Sequence, residues 1–287
     1  MKIQPNQLVE LTKQQRKGNA IATTLIGLFI VIAIQVLSSF PGNIITNAGW
    51  REIYDNSSTI IMIIFILIFC YYIEKRKPET LGFKRKNFIN KYILGLIVGA
   101  IYILIVFLVN LLSGSLNINV DFSQIKWWFI IFSFGGFMIQ GLMEEVVCRG
   151  FIMNTISSRF GVITGIIVNS VIFSLLHSFS DAFNWLPALN LFMVGVLFSI
   201  IFYYTNSIFV VGGIHTMWNF MVGPILGIEI SGLPTYSAVI NSTPNSSHSL
   251  LNGGAFGIEG GLILTITTLI FIVGVLLVNK KKLTNKL

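Results

Sequence analysis

The chain has 287 residues, of which 54% are hydrophobic and only 10% are charged, and its mean hydropathy is +0.81. A soluble domain of this length could not cover its surface with so few charges, so the composition excludes a soluble protein and predicts a polytopic membrane protein. The net charge of +8 does not indicate nucleic-acid binding, because the Lys and Arg residues lie in short clusters between long apolar runs.

Eight apolar runs are candidates for membrane-spanning helices, each of which needs roughly 20 apolar residues. These runs cover about 20–40, 58–73, 92–112, 128–148, 161–177, 187–204, 207–226 and 260–278. The predicted fold is therefore an all-α membrane helix bundle of a multi-pass cell-membrane protein. No cleavable signal precedes the first run, so we expect it to be an anchor. Cys70 and Cys148 fall in or beside apolar runs, which indicates small buried side chains and no disulfide.

The Lys and Arg residues are distributed unevenly over the two sides that eight spans create. One side receives sixteen of them, namely Lys2, Lys13, Arg16, Lys17, Lys75, Arg76, Lys77, Lys84, Arg85, Lys86, Lys91, Arg159, Lys280, Lys281, Lys282 and Lys286. The other side receives only Arg51 and Lys126, and Arg149 lies inside a span. Because cytoplasmic loops carry the excess of basic residues, both termini are predicted to be cytoplasmic.

Two acids stand near the end of the fourth run and one base directly follows it, within the stretch GLMEEVVCRGF. Ionisable residues in a membrane helix cost a few kcal/mol each, so Glu144, Glu145 and Arg149 need partners or a wet cavity. Glu145 and Arg149 are spaced i,i+4 and can neutralise each other on one helix face. Glu144 points about 100° away and has no obvious partner. A buried charge pair that only fixes helix packing is the alternative interpretation.

Two of the three histidines also lie in spans. His177 follows Phe173 by four residues in the fifth run, and Asn219 follows His215 by four residues in the seventh. Either histidine alone could be a packing residue. Together with Glu144 they supply what amide hydrolysis requires, namely a group that takes a proton from water and donors that stabilise an oxyanion. This requires the fourth, fifth and seventh spans to surround one cavity.

The motifs EExxxR, FxxxH and HxxxN, in this order on successive membrane helices, resemble those of the CPBP family of intramembrane proteases. This family, also called Abi, contains CAAX prenyl proteases and bacteriocin-processing proteins. The motifs are intact here as Glu144-Glu145 with Arg149, Phe173 with His177, and His215 with Asn219. The resemblance covers roughly 125–225.

The resemblance implies a role for each motif residue. Glu144 would activate the attacking water, and His177 would help to position it or share its proton. His215 and Asn219 would stabilise the oxyanion of the tetrahedral intermediate. Glu145 and Arg149 would hold the site together or help to hold the substrate.

The resemblance also implies that Phe173 packs beneath His177, and it leaves the cofactor open. Glu144, His177 and His215 could bind Zn²⁺ with an open fourth position, and a metal-free water activated by glutamate is equally compatible. There is no HExxH, GxSxG or GxGD signature, which excludes the common zinc, serine and aspartyl alternatives.

The resulting organisation has five parts. They are a cytoplasmic segment at 1–19, membrane helices at 20–124, the family-like catalytic core at 125–226, an exterior loop at 227–259, and the last span with a basic tail at 260–287.

The predicted function is a membrane-embedded endopeptidase that cleaves a peptide or the tail of a membrane-associated protein. The Ile-, Asn- and Lys-rich composition is typical of a low-GC bacterium, in which the resemblance implies bacteriocin or peptide-signal maturation, or self-immunity. A non-enzymatic scaffold that regulates a membrane partner such as a sensor kinase is the alternative. A proton-coupled carrier is a third possibility, but no internal repeat supports it.

One feature of the predicted spans is inconsistent with this site. Straight spans over 128–148 and 161–177 would place Glu144 and His177 at opposite depths in the membrane. Either the fourth span starts after Trp127 and runs well past Arg149, or the fifth begins deeper in the membrane.

Overall fold

The computed structural model describes residues 3–280 as an almost entirely helical bundle. The basic tail predicted after Lys280, and Lys2 at the other end, lie outside the described residues. Many large apolar side chains point outward and are exposed, among them Phe29, Leu37 and Ile131. In water this surface would be unstable, so the outward residues face lipid, and the chain is a multi-pass membrane protein.

Six helices are long and apolar enough to cross a membrane. They are α2 (Ala20–Gly42), α3 (Ala48–Ile73), α4 (Phe88–Leu112), α5 (Trp127–Phe160), α7 (Trp185–Thr205) and α8 (Ile208–Ile225). A short N-terminal helix, α1 (Gln7–Gln15), precedes them. The remaining two predicted spans correspond to shorter apolar helices, α6 (Val162–Leu176) and α9 (Leu262–Val278). All eight predicted runs are thus helical, whereas eight complete crossings and two cytoplasmic termini stay predictions.

Two of the predicted boundaries are wrong. Helix α3 begins at Ala48, ten residues before the predicted start, because Asn47 caps it by accepting a hydrogen bond from the backbone N–H of Trp50. Glu52 and Asp55 therefore lie on a helix and not in a loop. Helix α5 continues past the predicted end at 148 to Phe160, through a π-helical segment at Val146–Met153.

The length of α5 removes the difference in depth between Glu144 and His177. The span starts at Trp127 but runs well past Arg149, and Gly161, with φ +91°, reverses the chain directly into α6. From this turn, Glu144 lies 16 residues back along α5 and His177 lies 15 residues beyond the start of α6. At 1.5 Å per residue both are about 23 Å from the turn. They therefore meet at the same depth.

Helix α8 lies at the centre of the bundle. In its most apolar window 78% of the residues are buried, against 33–56% in the other five long helices. Glycines allow its neighbours to approach closely: a Cβ at Gly99 of α4 would lie 2.6 Å from the carbonyl oxygen of Ile214, and one at Gly141 of α5 would lie 2.7 Å from the amide of Thr216. This packing places His215 in the interior.

The loops at the two ends of the bundle differ in character. At one end, strand β1 (Leu116–Asn119) pairs antiparallel with β2 (Asn241–Pro244), the only two strands among residues 3–280. Short helices follow β2 at Ser246–His248, Ser249–Asn252, Gly254–Phe256 and Ile258–Gly260. At the other end a short helix at Pro78–Leu81 packs beside α1. There Arg76, which is fully buried, donates hydrogen bonds to the hydroxyls of Thr80 and Thr155 and ties this loop to α5.

Candidate active site

The structure brings the three motifs together at one cavity. The cavity has a volume of about 530 Å³, and its wall includes Glu144 of α5, His177 at the end of α6, and His215 and Asn219 of α8. The expectation that the fourth, fifth and seventh spans surround one cavity is therefore confirmed. Phe173, Leu191, Val194 and Phe198 are among the apolar residues that surround these polar groups, and they lower the local dielectric.

Glu145 and Arg149 form the predicted ion pair. Arg149 Nη1 donates to Glu145 Oε1 over 2.9 Å, and both side chains are fully buried. The same carboxylate oxygen accepts a hydrogen bond from His215 Nδ1 over 2.8 Å. Glu145 therefore neutralises Arg149 and orients His215 at the same time.

The guanidinium of Arg149 connects three helices. Its Nη2 donates to the backbone oxygen of Gly195 on α7 over 3.2 Å. Its central carbon lies 4.5 Å from the ring centroid of Phe173 and 5.4 Å from that of Phe198, which are cation–π distances. The arginine thus packs behind the site and fixes the positions of α5, α6 and α7 relative to one another.

Glu144 faces the cavity. Its Oε1 accepts a hydrogen bond from Gln140 Nε2, whereas its Oε2 has no hydrogen-bond partner in the protein. This second oxygen lies 3.6 Å from His215 Nε2 and 3.9 Å from His177 Nε2. Both distances are too long for a direct hydrogen bond and suit groups bridged by a small molecule.

Both histidines present the same nitrogen to Glu144. His177 Nδ1 lies 2.8 Å from the backbone oxygen of Phe173, which can only accept, so Nδ1 carries the proton. His215 Nδ1 donates to the Glu145 carboxylate in the same way. In the neutral rings Nε2 is then the free acceptor. The ring of His177 also contacts that of Phe173, with the centroids 4.9 Å apart, so Phe173 packs against His177 as predicted.

Gln140 is a site residue that the sequence analysis missed. Its Oε1 accepts a hydrogen bond from Asn219 Nδ2 over 2.9 Å, and its Nε2 donates to Glu144. The amide therefore connects the proposed oxyanion donor to the proposed base and fixes one carboxylate oxygen. The signal was present, since Gln140 is a polar residue in an apolar span and precedes Glu144 by four residues on the same helix face.

Glu259 is a second missed acid at the cavity wall. The sequence places it in a loop, but it is only 5% exposed. Its Oε1 accepts from Trp218 Nε1 over 2.6 Å, and its Oε2 accepts from the backbone N–H and the hydroxyl of Ser231. It therefore anchors the loop before α9 to α8, next to Asn219. Sequence offers no signal for this long-range contact.

The donor set proposed for a metal does not fit one as it stands. Glu144, His177 and His215 are close, but no group of three or more His, Cys, Asp or Glu side chains within residues 3–280 is arranged to hold a metal ion. No step of the chemistry below is therefore routed through a metal.

A family model covers the part of the chain that builds this site. Residues 126–221 match the model described as type II CAAX prenyl endopeptidase Rce1-like. This range includes all seven motif residues as well as Gln140. A comparison with curated proteins gives no significant match.

Proposed function

Because the chain carries a domain of the CAAX protease family, we propose that it is a membrane-embedded endopeptidase in which Glu144 activates water. The observation that supports this most directly is the arrangement around Glu144 Oε2. That oxygen has no protein hydrogen-bond partner, belongs to a side chain that lines the cavity, and has the Nε2 atoms of two histidines within 3.9 Å.

In the proposed reaction, water binds between Glu144 Oε2 and His177 Nε2. Glu144 takes one proton as the water oxygen forms a bond to the carbonyl carbon of the peptide. His177 accepts a hydrogen bond from the other hydrogen and so aims the attacking lone pair. The carbonyl π electrons move to oxygen, which gives a tetrahedral oxyanion.

The oxyanion is stabilised by Asn219 and His215. Asn219 Nδ2 has a second hydrogen that is not used by Gln140, and it can donate this hydrogen to the oxyanion. His215 keeps its hydrogen bond from Nδ1 to the Glu145 carboxylate, and when Nε2 also carries a proton it donates to the oxyanion. When the intermediate collapses, the carbon–nitrogen bond breaks and Glu144 returns its proton to the leaving amine.

Glu145 and Arg149 act in this proposal as positioning residues. Neither has an exposed side-chain surface, so neither touches a substrate in this arrangement. Their pairing gives Glu145 a partner of opposite charge beside His215, and it leaves Glu144 to carry out the chemistry.

The proposed substrates are short peptides or the tails of membrane-associated proteins. The apolar wall at Phe137, Leu191, Val194 and Leu264 suits apolar side chains next to the scissile bond. Bacteriocin or peptide-signal maturation, or self-immunity, is the biological setting we propose.

The test compares peptides from host cells and their medium by mass spectrometry, between wild type and Glu144→Gln at matched membrane abundance. We expect at least one peptide to lose its processed form only in the variant, which would also identify the substrate. If both strains show the same peptides while deletion of the whole chain has a phenotype, the endopeptidase proposal is wrong and a scaffold that regulates a membrane partner is favoured.

A further inference from the structure

Among residues 3–280, those that line the cavity place its mouth at one end of the bundle. Beyond the site itself, its lining comes from the first turns of α3, including Arg51 and Asp55, from the loop at 230–236, and from Glu259. These lining residues lie at the end of the molecule that carries the β1–β2 pair. No lining residue belongs to α1, to the 74–87 loop or to the turn at Gly161.

On the opposite side the site is closed by packed side chains. Val146, Phe151, Ile152 and Met153, which follow Glu145 along α5, are all fully buried. Together with Arg149 they fill the space between the site and the other end of the bundle. A substrate therefore has no open route to Glu144 from that end.

The closed end is also the basic end. Helix α1 and the loop after α3 meet there, with Lys84 Nζ donating to Gln7 and the backbone N–H of Lys77 donating to Gln15. Arg16 joins this end to α5 through Ser158. Apart from Arg149 in the interior, nearly all the Lys and Arg residues in residues 3–280 lie at or near this end, and only Arg51 and Lys126 lie at the other.

From this arrangement we infer that the scissile bond enters the site from the exterior side of the membrane. Basic loops stay cytoplasmic during membrane insertion, so the closed end is cytoplasmic and the cavity mouth is exterior. The substrate is then a polypeptide segment presented outside the cytoplasm, such as an exported peptide or an exterior tail, with apolar residues near the scissile bond. A tail presented only in the cytoplasm would not reach Glu144. This inference rests on the proposed function for the identity of the site, but its first test does not require catalysis.

The mouth of the cavity suits an extended, polar segment of the substrate that leads to the scissile bond. Arg51 and Asp55 are half-exposed and only 3.9 Å apart, so each can pair with a charged group of a passing chain. The carboxylate of Glu52 already has partners within the protein. It accepts hydrogen bonds from the hydroxyl of Thr235 and from the backbone N–H of Tyr236, and it so holds the loop at 230–236 against α3.

The first test is cysteine labelling of the full chain in right-side-out and inside-out membrane vesicles, with a bulky membrane-impermeant maleimide. The native Cys70 and Cys148 are each 1% exposed, so wild type gives a low background. We compare Leu233→Cys at the cavity mouth with Ser246→Cys, which is exposed on the same side but does not line the cavity, and with Arg85→Cys at the basic end.

Labelling of Leu233→Cys and Ser246→Cys in right-side-out vesicles, with labelling of Arg85→Cys only in inside-out vesicles, is the expected result. The reverse pattern would overturn the inference whether or not the protein is a peptidase.

The second test adds a fluorogenic peptide with apolar residues around its scissile bond to both vesicle types. We expect cleavage in right-side-out vesicles that is absent in Glu144→Gln. Modification of Leu233→Cys from outside should reduce cleavage at least tenfold, and modification of Ser246→Cys should not. Cleavage that depends on Glu144 but occurs only in inside-out vesicles would overturn exterior entry while leaving the peptidase proposal intact. If Leu233→Cys is labelled from outside but neither vesicle type cleaves the peptide, the result would count against the peptidase proposal. The exterior position of the cavity mouth would still be supported.

Discussion

Glu144 and Glu145 are neighbours in sequence but lie on two faces of α5 that have opposite characters. On one face Glu145 is fully buried, and its Oε1 accepts hydrogen bonds from both Arg149 and His215. On the other face Glu144 lines a cavity, with one oxygen held by Gln140 and the other, which has no protein partner, close to two histidines. A buried carboxylate with a matched cation stabilises the helix packing, whereas a carboxylate with a free oxygen in a cavity can exchange a proton. The difference separates an acid that stabilises helix packing from the acid that we propose to activate water.

The largest effect is expected from Glu144→Gln, which removes the proton acceptor and keeps the shape. Peptide cleavage should fall by about 10⁴-fold or more, while membrane abundance and melting temperature stay near wild type. Glu79→Gln is the matched control, since it makes the same change at an exposed residue. Cleavage that survives in Glu144→Gln would show that another group activates the water.

Glu145→Gln should act mainly on stability, because it leaves Arg149 buried without a balancing charge. Breaking such a pair costs about 3–5 kcal/mol, so we expect lower abundance and a lower melting temperature than for Glu144→Gln. The double variant Glu145→Gln with Arg149→Met should recover part of the loss, as measured in a double-mutant cycle. Equal stability of all three variants would argue against the ion pair.

His177→Gln should lower the turnover rate about 10²-fold with little change in abundance, since the side chain orients water and lies at the end of α6. Its control is His248→Gln in the loop after β2, which should leave turnover unchanged. A strong loss of protein in His177→Gln would indicate a packing role in place of a chemical one.

Gln140→Leu removes the hydrogen bonds to both Glu144 and Asn219, and the carboxylate should lose its fixed orientation. We expect turnover to fall about tenfold, a free-energy change of about 1.4 kcal/mol, with the affinity for substrate nearly unchanged. Gln35→Leu, the same change at an exposed position of α2, should have no effect on turnover. If the two variants behave alike, Gln140 has no positioning role.

The smallest effect is expected from chelators. Treatment of the purified, reconstituted protein with EDTA or phenanthroline should leave cleavage within about twofold of the untreated rate, since the donors do not form a metal site as arranged. Loss of activity that added Zn²⁺ restores would show that Glu144, His177 and His215 close around a metal.

Much of the site could be predicted because its signals are local. The i,i+4 pairs Glu145–Arg149 and Phe173–His177 follow from helix periodicity alone, and the structure confirms both contacts. The span boundaries were less predictable. Polar residues such as Glu52 and Asp55 interrupt the apolar pattern at the start of α3, and the polar stretch at 154–159 does so at the end of α5. The apolar runs are therefore shorter than the helices, although both polar segments are helical.

The sequence by itself determined that this is a membrane helix bundle, which ionisable residues lie within its helices, and which connections between the helices are basic. These properties depend on composition, on periodicity along one helix, and on the order of charges along the chain. Only the tertiary structure decided that Glu144 and His177 meet at one depth, that Gln140 links Asn219 to Glu144, that Glu259 anchors the loop before α9, and that the cavity opens away from the basic end. Those features depend on the turn at Gly161 and on contacts between residues far apart in sequence, which no local pattern encodes.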